Sequence, residues 1–174
     1  MLRSCSLWCL LLIVFPTFLD AQVISIAQAR NLGAGNVVTV RGIVTNGAEL
    51  GKIRYLQDGT AGVAAFPGTG SAAGFEASVQ AGDSIEVTGT LVSFQNLLEI
   101  SPITAYTVLS SGHPLPAPRT VTLSEINENI ESQLLDIECV TFAGAGGTFS
   151  TSSTYDIADS DGGQAKIYLR GGHP

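Results

Sequence analysis

Two stretches of β-branched residues, each with one glycine near its centre, constrain the fold more than any other feature of this sequence. Residues 37–46 carry Gly42 in that position, and residues 85–92 carry Gly89. Valine, isoleucine and threonine favour extended strands. A glycine inside such a strand marks a β-bulge or a sharp bend. The two stretches therefore predict long, strongly coiled strands of the kind that a small closed barrel needs.

The segments around these two strands supply the other parts of a barrel. A short amphipathic helix is predicted at residues 25–32, where Ser25 would cap its first turn. Further strands are predicted at residues 52–58, at 63–66, and at 97–100 continued by 104–109. The tight loop between the first two of these makes a hairpin.

Five strands in about 90 residues predict an all-β fold with small helices, a five-stranded OB-type Greek-key barrel. We place this OB-fold domain at residues 23–112. An immunoglobulin-like sandwich ranks second because it needs about seven strands at more regular spacing.

A Pro-rich linker at residues 113–120 is expected to mark a domain boundary, because alternate prolines keep a chain extended and remove hydrogen-bond donors. Residues 121–174 then repeat the order of the first domain. A capped helical turn is followed by a long strand at 134–142, a Gly-rich turn, a strand that ends in Asp159, and one more strand. The pattern predicts a partial second OB-like repeat without a fourth or fifth strand, and we expect the chain to be a fragment of a longer protein.

The first 21 residues have the composition of an export signal. Arg3 provides the positive end, residues 7–18 form an apolar run, and Ala21 precedes the expected cleavage point. A membrane anchor is disfavoured because Pro16 interrupts the run, which is shorter than the ~20 residues that span a bilayer. The pattern predicts a signal peptide at 1–21 and a bacterial protein that is secreted or held at the cell surface, with no membrane span after cleavage.

Cleavage there would leave Cys139 as the single cysteine of the mature chain, so no intrachain disulfide is expected. The alternation of residues 134–140 places Cys139 on the apolar face with Leu135 and Ile137. This placement favours a buried, unreactive thiol. A reactive or intermolecular thiol is the lesser alternative.

The charge balance disfavours strong nonspecific binding of nucleic acid. Acidic residues outnumber basic ones by 15 to 8, which gives a net charge of −7 at pH 7. Nonspecific binding draws most of its free energy from cations that contact phosphates. The balance therefore favours a different role, in which the barrel spaces other domains or binds a glycan or a protein.

Against this, several segments resemble the OB-fold nucleic-acid-binding domain of secreted bacterial nucleases and large cell-surface proteins. The residues that carry the resemblance are 26–30, 38–44, 55–63, 81–90 and 115–118. They are mainly glycines, turn residues and core positions, which report backbone geometry more than chemistry. The resemblance implies a nucleic-acid-binding accessory module, with any hydrolytic chemistry in a separate domain.

The ligand surface of an OB barrel lies on strands two and three and the loops beside them, where cations contact the backbone and aromatic rings stack on bases. The candidates in this sequence are Arg41, Lys52, Arg54, Tyr55, Phe66, Phe94, Gln95 and Asn96. Alternation sets Arg54 and Tyr55 on opposite faces, so an exposed arginine would place Tyr55 in the core.

The candidates differ in how far the sequence favours a ligand role. For Tyr55 and Phe66 we favour core packing over stacking. For Arg41 and Arg54 a solvated strand position and a ligand contact are about equally favoured. The loop Phe94-Gln95-Asn96 is the strongest candidate, since an aromatic residue beside two amides in a loop is more often exposed.

Catalytic chemistry is not expected. His113 lies in the linker and His173 near the end of the chain, and neither has a plausible base or metal partner nearby in the sequence. Asp156, Asp159 and Asp161 resemble a calcium loop only weakly, and an Asp-rich turn needs no metal. We expect no cofactor and no metal, and we retain two partner classes: single-stranded nucleic acid, and a glycan or protein.

Overall fold

The computed structural model describes residues 22–69, 72–144 and 146–170. The predicted signal peptide at 1–21 and His173 lie outside these residues. The first part of the described chain contains six strands and two α-helices: β1 (Val23–Ile24), α1 (Ile26–Leu32), β2 (Val37–Val44), β3 (Arg54–Gln57), β4 (Gly62–Ala65), α2 (Phe75–Ser78), β5 (Ser84–Phe94) and β6 (Leu97–Ser110). A 3-10 turn at Ala48–Leu50 lies between β2 and β3.

Five of these strands close into a barrel. Strand β2 pairs with β3, β3 with β4, β4 with β6, and β6 with β5, which returns to β2. The β4–β6 pairing is parallel, and the other four are antiparallel. The short strand β1 runs parallel to β2 outside this ring. The prediction of an all-β fold with a closed five-stranded barrel is confirmed.

Both central glycines lie where two strands approach closely, and Gly89 also lies at a predicted β-bulge. At Gly89 the register between β5 and β6 shifts, and a Cβ there would lie 2.6 Å from both Ile100 Cγ2 and Pro102 O. At Gly42 a Cβ would lie 3.1 Å from Gln57 O on the neighbouring strand. A side chain at Gly89 would clash with the neighbouring strand, and one at Gly42 would require that strand to shift by a few tenths of an ångström, so both positions favour glycine.

Helix α1 packs against the barrel core through Ile26 and Ala29. Ser25 Oγ accepts a hydrogen bond from Gln28 N at 3.2 Å, and Ser25 N donates to Gln28 Oε1 at 3.0 Å, which forms a capping box. Asp58, at the end of β3, accepts from Ile26 N at 2.9 Å and from Thr60 N at 2.7 Å. One carboxylate thus ties the start of the helix to the β3–β4 hairpin.

The core lies inside the barrel and under α1. Its completely buried side chains come from every barrel strand and from both helices; among them are Ile26, Val40, Leu56, Val63, Phe75, Ile85, Leu91 and Ile100. Burial of each such side chain stabilises the fold by about 1.5–3 kcal/mol before entropy is counted. The described chain has no helix that is both long and apolar enough to span a membrane.

The C-terminal region, residues 119–170, contains shorter elements: β7 (Arg119–Thr120), β8 (Leu135–Asp136), β9 (Thr141–Phe142), β10 (Ser153–Ala158) and β11 (Gln164–Leu169). Strands β9, β10 and β11 form a three-stranded sheet, and β7 pairs with β8 in parallel. Two 3-10 turns, Leu123–Glu125 and Glu128–Ile130, precede β8.

The prediction of one long strand at residues 134–142 is wrong. The segment holds only β8 and β9, because Cys139 between them has a φ of 55°, in the left-handed region that interrupts a strand. The prediction of a buried thiol fails with it, since Cys139 is exposed.

Candidate ligand cleft

Strands β3, β4 and β6 present one continuous row of side chains on the outer face of the barrel. Tyr55 pairs with Ala64, and Ala64 pairs with Glu99. Their neighbours Leu56 and Ile100 point into the core and are completely buried. Since side chains alternate along a strand, Tyr55, Ala64 and Glu99 share the outer face.

A cleft of about 650 Å³ opens at one end of this outer face. This size is within the usual range of small-molecule sites. Four of the predicted ligand residues line it, namely Lys52, Phe66, Phe94 and Gln95. The remaining lining residues are Leu50, Ile53, Leu97, Glu99, Ser101 and Arg170. We call this the ligand cleft.

A tight turn positions Phe94 and Gln95 at the rim of the ligand cleft. Strands β5 and β6 pair up to Phe94 and Leu97, which leaves Gln95 and Asn96 as a two-residue turn. Their φ values are 51° and 70°, the left-handed pair that a type I′ hairpin requires. Phe94 is 60% exposed, so its ring is available to a ligand. Asn96 is exposed but does not line the cleft.

The structure corrects the orientation of Arg54. Its side chain is completely buried, and Tyr55 takes the outer face. The Arg54 guanidinium donates to four backbone carbonyl oxygens. Two lie just before β3, Gly51 O at 2.7 Å and Ile53 O at 2.9 Å, and two lie in or just after α2, Glu76 O at 2.6 Å and Val79 O at 2.9 Å. Burial lowers the pKa of Arg54, and the charges of Glu49 and Glu76 oppose that shift. Arg54 thus joins β3 to α2 and to the turn before β3, and it is absent from the ligand cleft.

The other two predicted cations are at the surface. Lys52 lines the ligand cleft, and its Nζ lies 3.6 Å from Glu76 Oε1 in an exposed ion pair. Arg41 lies on β2, where its Nε contacts Glu86 Oε2 at 2.8 Å across the β2–β5 ladder. Arg41 does not line the cleft. Of the predicted cations, only Lys52 is placed there.

A second cleft of about 500 Å³ adjoins the first and shares Leu50 and Leu97 with it. Tyr55 lines this second cleft, together with residues 131–134 of the C-terminal region. Burial and the negative charges of Glu131 and Glu99 raise the pKa of the Tyr55 hydroxyl, while Arg170 opposes the shift. Tyr55 is therefore half-buried between the barrel face and the C-terminal region.

Sequence reasoning missed two charged residues of the ligand cleft. Glu99 is only 7% exposed; burial raises the pKa of its carboxyl, and a hydrogen bond with Ser101 opposes the rise. The signal for Glu99 was an acidic residue inside the apolar run Leu97-Leu98-Glu99-Ile100. Arg170 comes from the end of the C-terminal region, and a Cβ on Gly51 would lie 3.0 Å from its Nη2. No local pattern indicates that placement.

The C-terminal region is attached to the barrel beside these clefts. Glu131 Oε2 accepts from both Arg30 Nη1 and Nη2 at 3.2 Å and from Leu98 N at 3.3 Å. Arg30 also donates to Glu128 O. Leu134 N donates to Gln57 Oε1 at 3.1 Å. One carboxylate thus joins α1, β6 and the turn before β8.

The acidic turn of the C-terminal region uses its carboxylates within the protein. Asp159 accepts from Leu123 N at 2.9 Å and from Gly163 N at 2.7 Å. The hydrogen bond from Leu123 N lowers the pKa of Asp159 most, burial opposes the shift, and the bond from Gly163 N lowers the pKa further. Asp156 pairs with Lys166. Among the described residues, no group of three or more His, Cys, Asp or Glu side chains could hold a metal ion.

No protein-family model and no curated protein matches this chain. The resemblance to OB-fold domains therefore stays a prediction.

Proposed function

We propose that this chain is a secreted, non-catalytic OB-type binding module whose ligand cleft takes single-stranded nucleic acid. The single observation that carries the proposal is the gathering of Lys52, Phe66, Phe94 and Gln95 in one cleft on the outer face of the barrel. These residues come from three separate segments of the sequence. In the proposal the module is an accessory to domains of a larger secreted or cell-surface protein.

The strand pairing supports an OB-type assignment. In the Greek-key barrel of that fold, the third and fifth barrel strands run side by side and the chain closes through the first and fourth. Here the third and fifth barrel strands, β4 and β6, are parallel neighbours, and the first and fourth, β2 and β5, close the ring. The cleft adjoins the loop before β3 and the loop before β6, which flank the ligand face in such barrels.

The C-terminal region supports the proposal of a partial second repeat. Thr122 and Glu125 form a capping box as Ser25 and Gln28 do in the barrel. The residue after each cap, Leu123 or Ile26, donates its N–H to an aspartate at the end of a hairpin strand. In each region a two-residue strand before the cap runs parallel to a later strand.

The chemistry of the ligand cleft suits a nucleotide. Phe94 offers an exposed ring on which a base can stack, which contributes about 1–3 kcal/mol per base. Lys52 and Arg170 provide cations for phosphate oxygens. Gln95 adds an amide with both a donor and an acceptor. The small number of cations fits a short binding site with weak salt dependence.

Fluorescence anisotropy with a labelled single-stranded DNA tests the proposal, using the full chain at low and moderate salt. We expect binding, with log Kd changing by about 1.4 per tenfold change in salt if two cations meet phosphates. Phe94→Ala should weaken binding roughly tenfold. Absence of salt-sensitive binding at about 100 µM protein, the weak end of nonspecific affinity, would refute it.

Matched variants exist for both kinds of contact. Tyr168→Ala removes a 57% exposed aromatic ring that does not line the cleft, and it serves as the control for Phe94→Ala. Lys166→Ala removes a lysine outside the cleft and serves as the control for Lys52→Ala. Equal effects within either pair would place the ligand elsewhere.

A second candidate function is a structural or adhesive spacer that binds a glycan or a protein. The bridge from Glu131 to Arg30 and Leu98 N favours this candidate, since it fixes the C-terminal region against the barrel. The net charge of −7 points the same way. Binding of a glycan or protein, with none of DNA, would select it.

A further inference from the structure

We propose that Glu99 makes the ligand cleft selective for guanine over the other bases, an inference that rests on the proposed function. Glu99 is a carboxylate that lines the cleft together with Phe94.

The fold places Glu99 where a ligand that enters the cleft reaches it. The residue lies on β6 opposite Ala64, whose methyl group is the smallest side chain of the row. It lines the cleft with Phe66 and Phe94, and more than nine-tenths of its surface is buried. A buried carboxylate needs donors from its surroundings. Ser101 supplies one, and a bound ligand can supply others.

Guanine is the base whose exposed edge fits such a group best. An ionised carboxylate only accepts hydrogen bonds, through two oxygens side by side. The Watson–Crick edge of guanine presents two adjacent donors, N1–H and the N2 amino group. Adenine and cytosine present one amino donor beside an acceptor nitrogen, and thymine presents one N–H between two carbonyl oxygens. Single-stranded bases are read on this edge.

The other groups in the cleft distinguish a guanine nucleotide from a cationic ligand. A lysine or arginine side chain of a peptide would also satisfy Glu99, and it would favour the aromatic rings. Lys52 and Arg170 line the same cleft, however, and would repel it. A guanine nucleotide combines a donor edge, a flat face and an anionic phosphate, which are the partners of Glu99, Phe94 and the two cations.

The test compares DNA strands that differ at one base. Thymidine-rich strands carrying a single central guanine, inosine, adenine, cytosine or thymine are titrated into the full chain by fluorescence anisotropy. Inosine retains N1–H and lacks only the N2 amino group. We expect the guanine strand to bind roughly tenfold more tightly than the all-thymine strand and several-fold more tightly than the inosine strand.

Glu99→Gln provides the decisive variant, because an amide offers one acceptor and one donor in nearly the same volume. It should abolish the preference for guanine over inosine. The readout is the ratio of the two dissociation constants within each variant, which a uniform change in affinity for all strands does not alter. Glu86→Gln, on β5 and outside the cleft, should keep the preference. Circular dichroism spectra that match the spectrum of the unaltered chain establish that both variants are folded.

The outcomes separate this inference from the function on which it rests. Binding of all strands without base preference, or a guanine preference that survives in Glu99→Gln, overturns the role of Glu99 and leaves the proposed function standing. Failure to bind any strand overturns both. Tight binding of an arginine-containing peptide in place of every strand would also overturn the inference, since it assigns Glu99 to a cationic ligand.

Discussion

The barrel, residues 23–110, and the C-terminal region, residues 119–170, begin with the same parts in the same order. Each has a two-residue strand, a capped turn and an aspartate that receives the first backbone N–H of that turn. They differ in how the sheet ends. The barrel strands close on themselves, whereas β9, β10 and β11 of the C-terminal region form an open three-stranded sheet.

Closure of the barrel allows its strands to bury a larger set of apolar side chains than the open sheet buries. The main hydrophobic cluster draws its buried residues from positions 26 to 103, all within the barrel. The buried apolar residues of the C-terminal region are Val121, Leu123, Ile130 and Ile157. Because an open sheet of three strands buries little, this region depends on its attachment to the barrel at Glu131 and at Gly62, where a Cβ would lie 2.2 Å from Ser132 O.

We expect the largest loss of stability when Arg54, which is buried in the barrel, is replaced. Arg54→Met removes the donors to four carbonyl oxygens and leaves buried acceptors unpaired, so we expect a loss of about 3–5 kcal/mol in the free energy of unfolding. Arg41→Met removes only an exposed ion pair and should cost less than about 1 kcal/mol. Urea unfolding followed by circular dichroism measures both. Equal losses would mean that the Arg54 network contributes little.

The second prediction compares the two capping aspartates. Asp58→Ala removes the acceptor for Ile26 N and for the hairpin loop and should lower the free energy of unfolding by about 2 kcal/mol. Asp159→Ala should act locally, by faster amide exchange at Leu123 and Gly163 with little change in barrel stability. If Asp159→Ala lowered the free energy of unfolding of the whole chain as much as Asp58→Ala does, the barrel would not be the region that determines stability.

The lowered pKa of Asp58 predicts how the stability of the barrel changes in acid. Burial alone would raise the pKa of this carboxyl, but the hydrogen bonds from Ile26, Thr60 and Ala61 outweigh it, and the pKa falls below its ordinary value of 3.8. The folded chain therefore holds this proton less tightly than the unfolded chain. The contribution of Asp58 is complete above that ordinary value and is lost as the pH falls through the lowered pKa. Asp58→Ala should show a flatter loss of stability in acid than the unaltered chain.

The elements that the sequence predicts well are those with strong local signals. The capping box of Ser25 and Gln28, the bulge at Gly89 and the exposed turn at Phe94 all depend on nearby residues, and each is placed as expected. Arg54 was misjudged because arginine is seldom buried, and only the carbonyl oxygens of distant segments make its burial possible.

The rest of the site depends on tertiary contacts that no local pattern encodes. Arg170 reaches the cleft across more than a hundred residues of sequence, and Glu131 meets Arg30 over a similar separation. The 134–142 segment alternates as a strand should, yet it is interrupted at Cys139. Alternation predicts a strand only where a neighbouring strand is present to pair with it.

The third prediction tests the attachment between the two regions. Arg30→Ala and Glu131→Gln should each destabilise the C-terminal region, with a coupling of about 1 kcal/mol in a double-mutant cycle, because the pair is largely buried and the carboxylate also receives Leu98 N. Glu128→Gln is the matched control, since Arg30 contacts the carbonyl oxygen of Glu128 and not its side chain. Hydrogen exchange across residues 128–136 measures the effect. Additive single effects would mean that the regions are held together by other contacts.

The smallest expected effect concerns Glu99, which lies in the barrel but serves the cleft. Burial raises the pKa of its carboxyl above the ordinary 4.5, against the hydrogen bond from Ser101, so the folded chain binds this proton more tightly than the unfolded chain. The stability that Glu99 provides is therefore greatest below that ordinary value and declines as the pH rises through the raised pKa. Glu99→Gln should raise the free energy of unfolding at pH 7 by a small amount, less than the coupling between Arg30 and Glu131, and the two curves should converge in acid. Urea titrations at pH 4 and pH 7 measure this difference, with Glu86→Gln as control.

A loss of stability at pH 7 would mean that the ionised carboxylate of Glu99 supports the barrel. A gain would mean that the barrel keeps a charge at some cost, which is the usual condition of a group that serves a ligand.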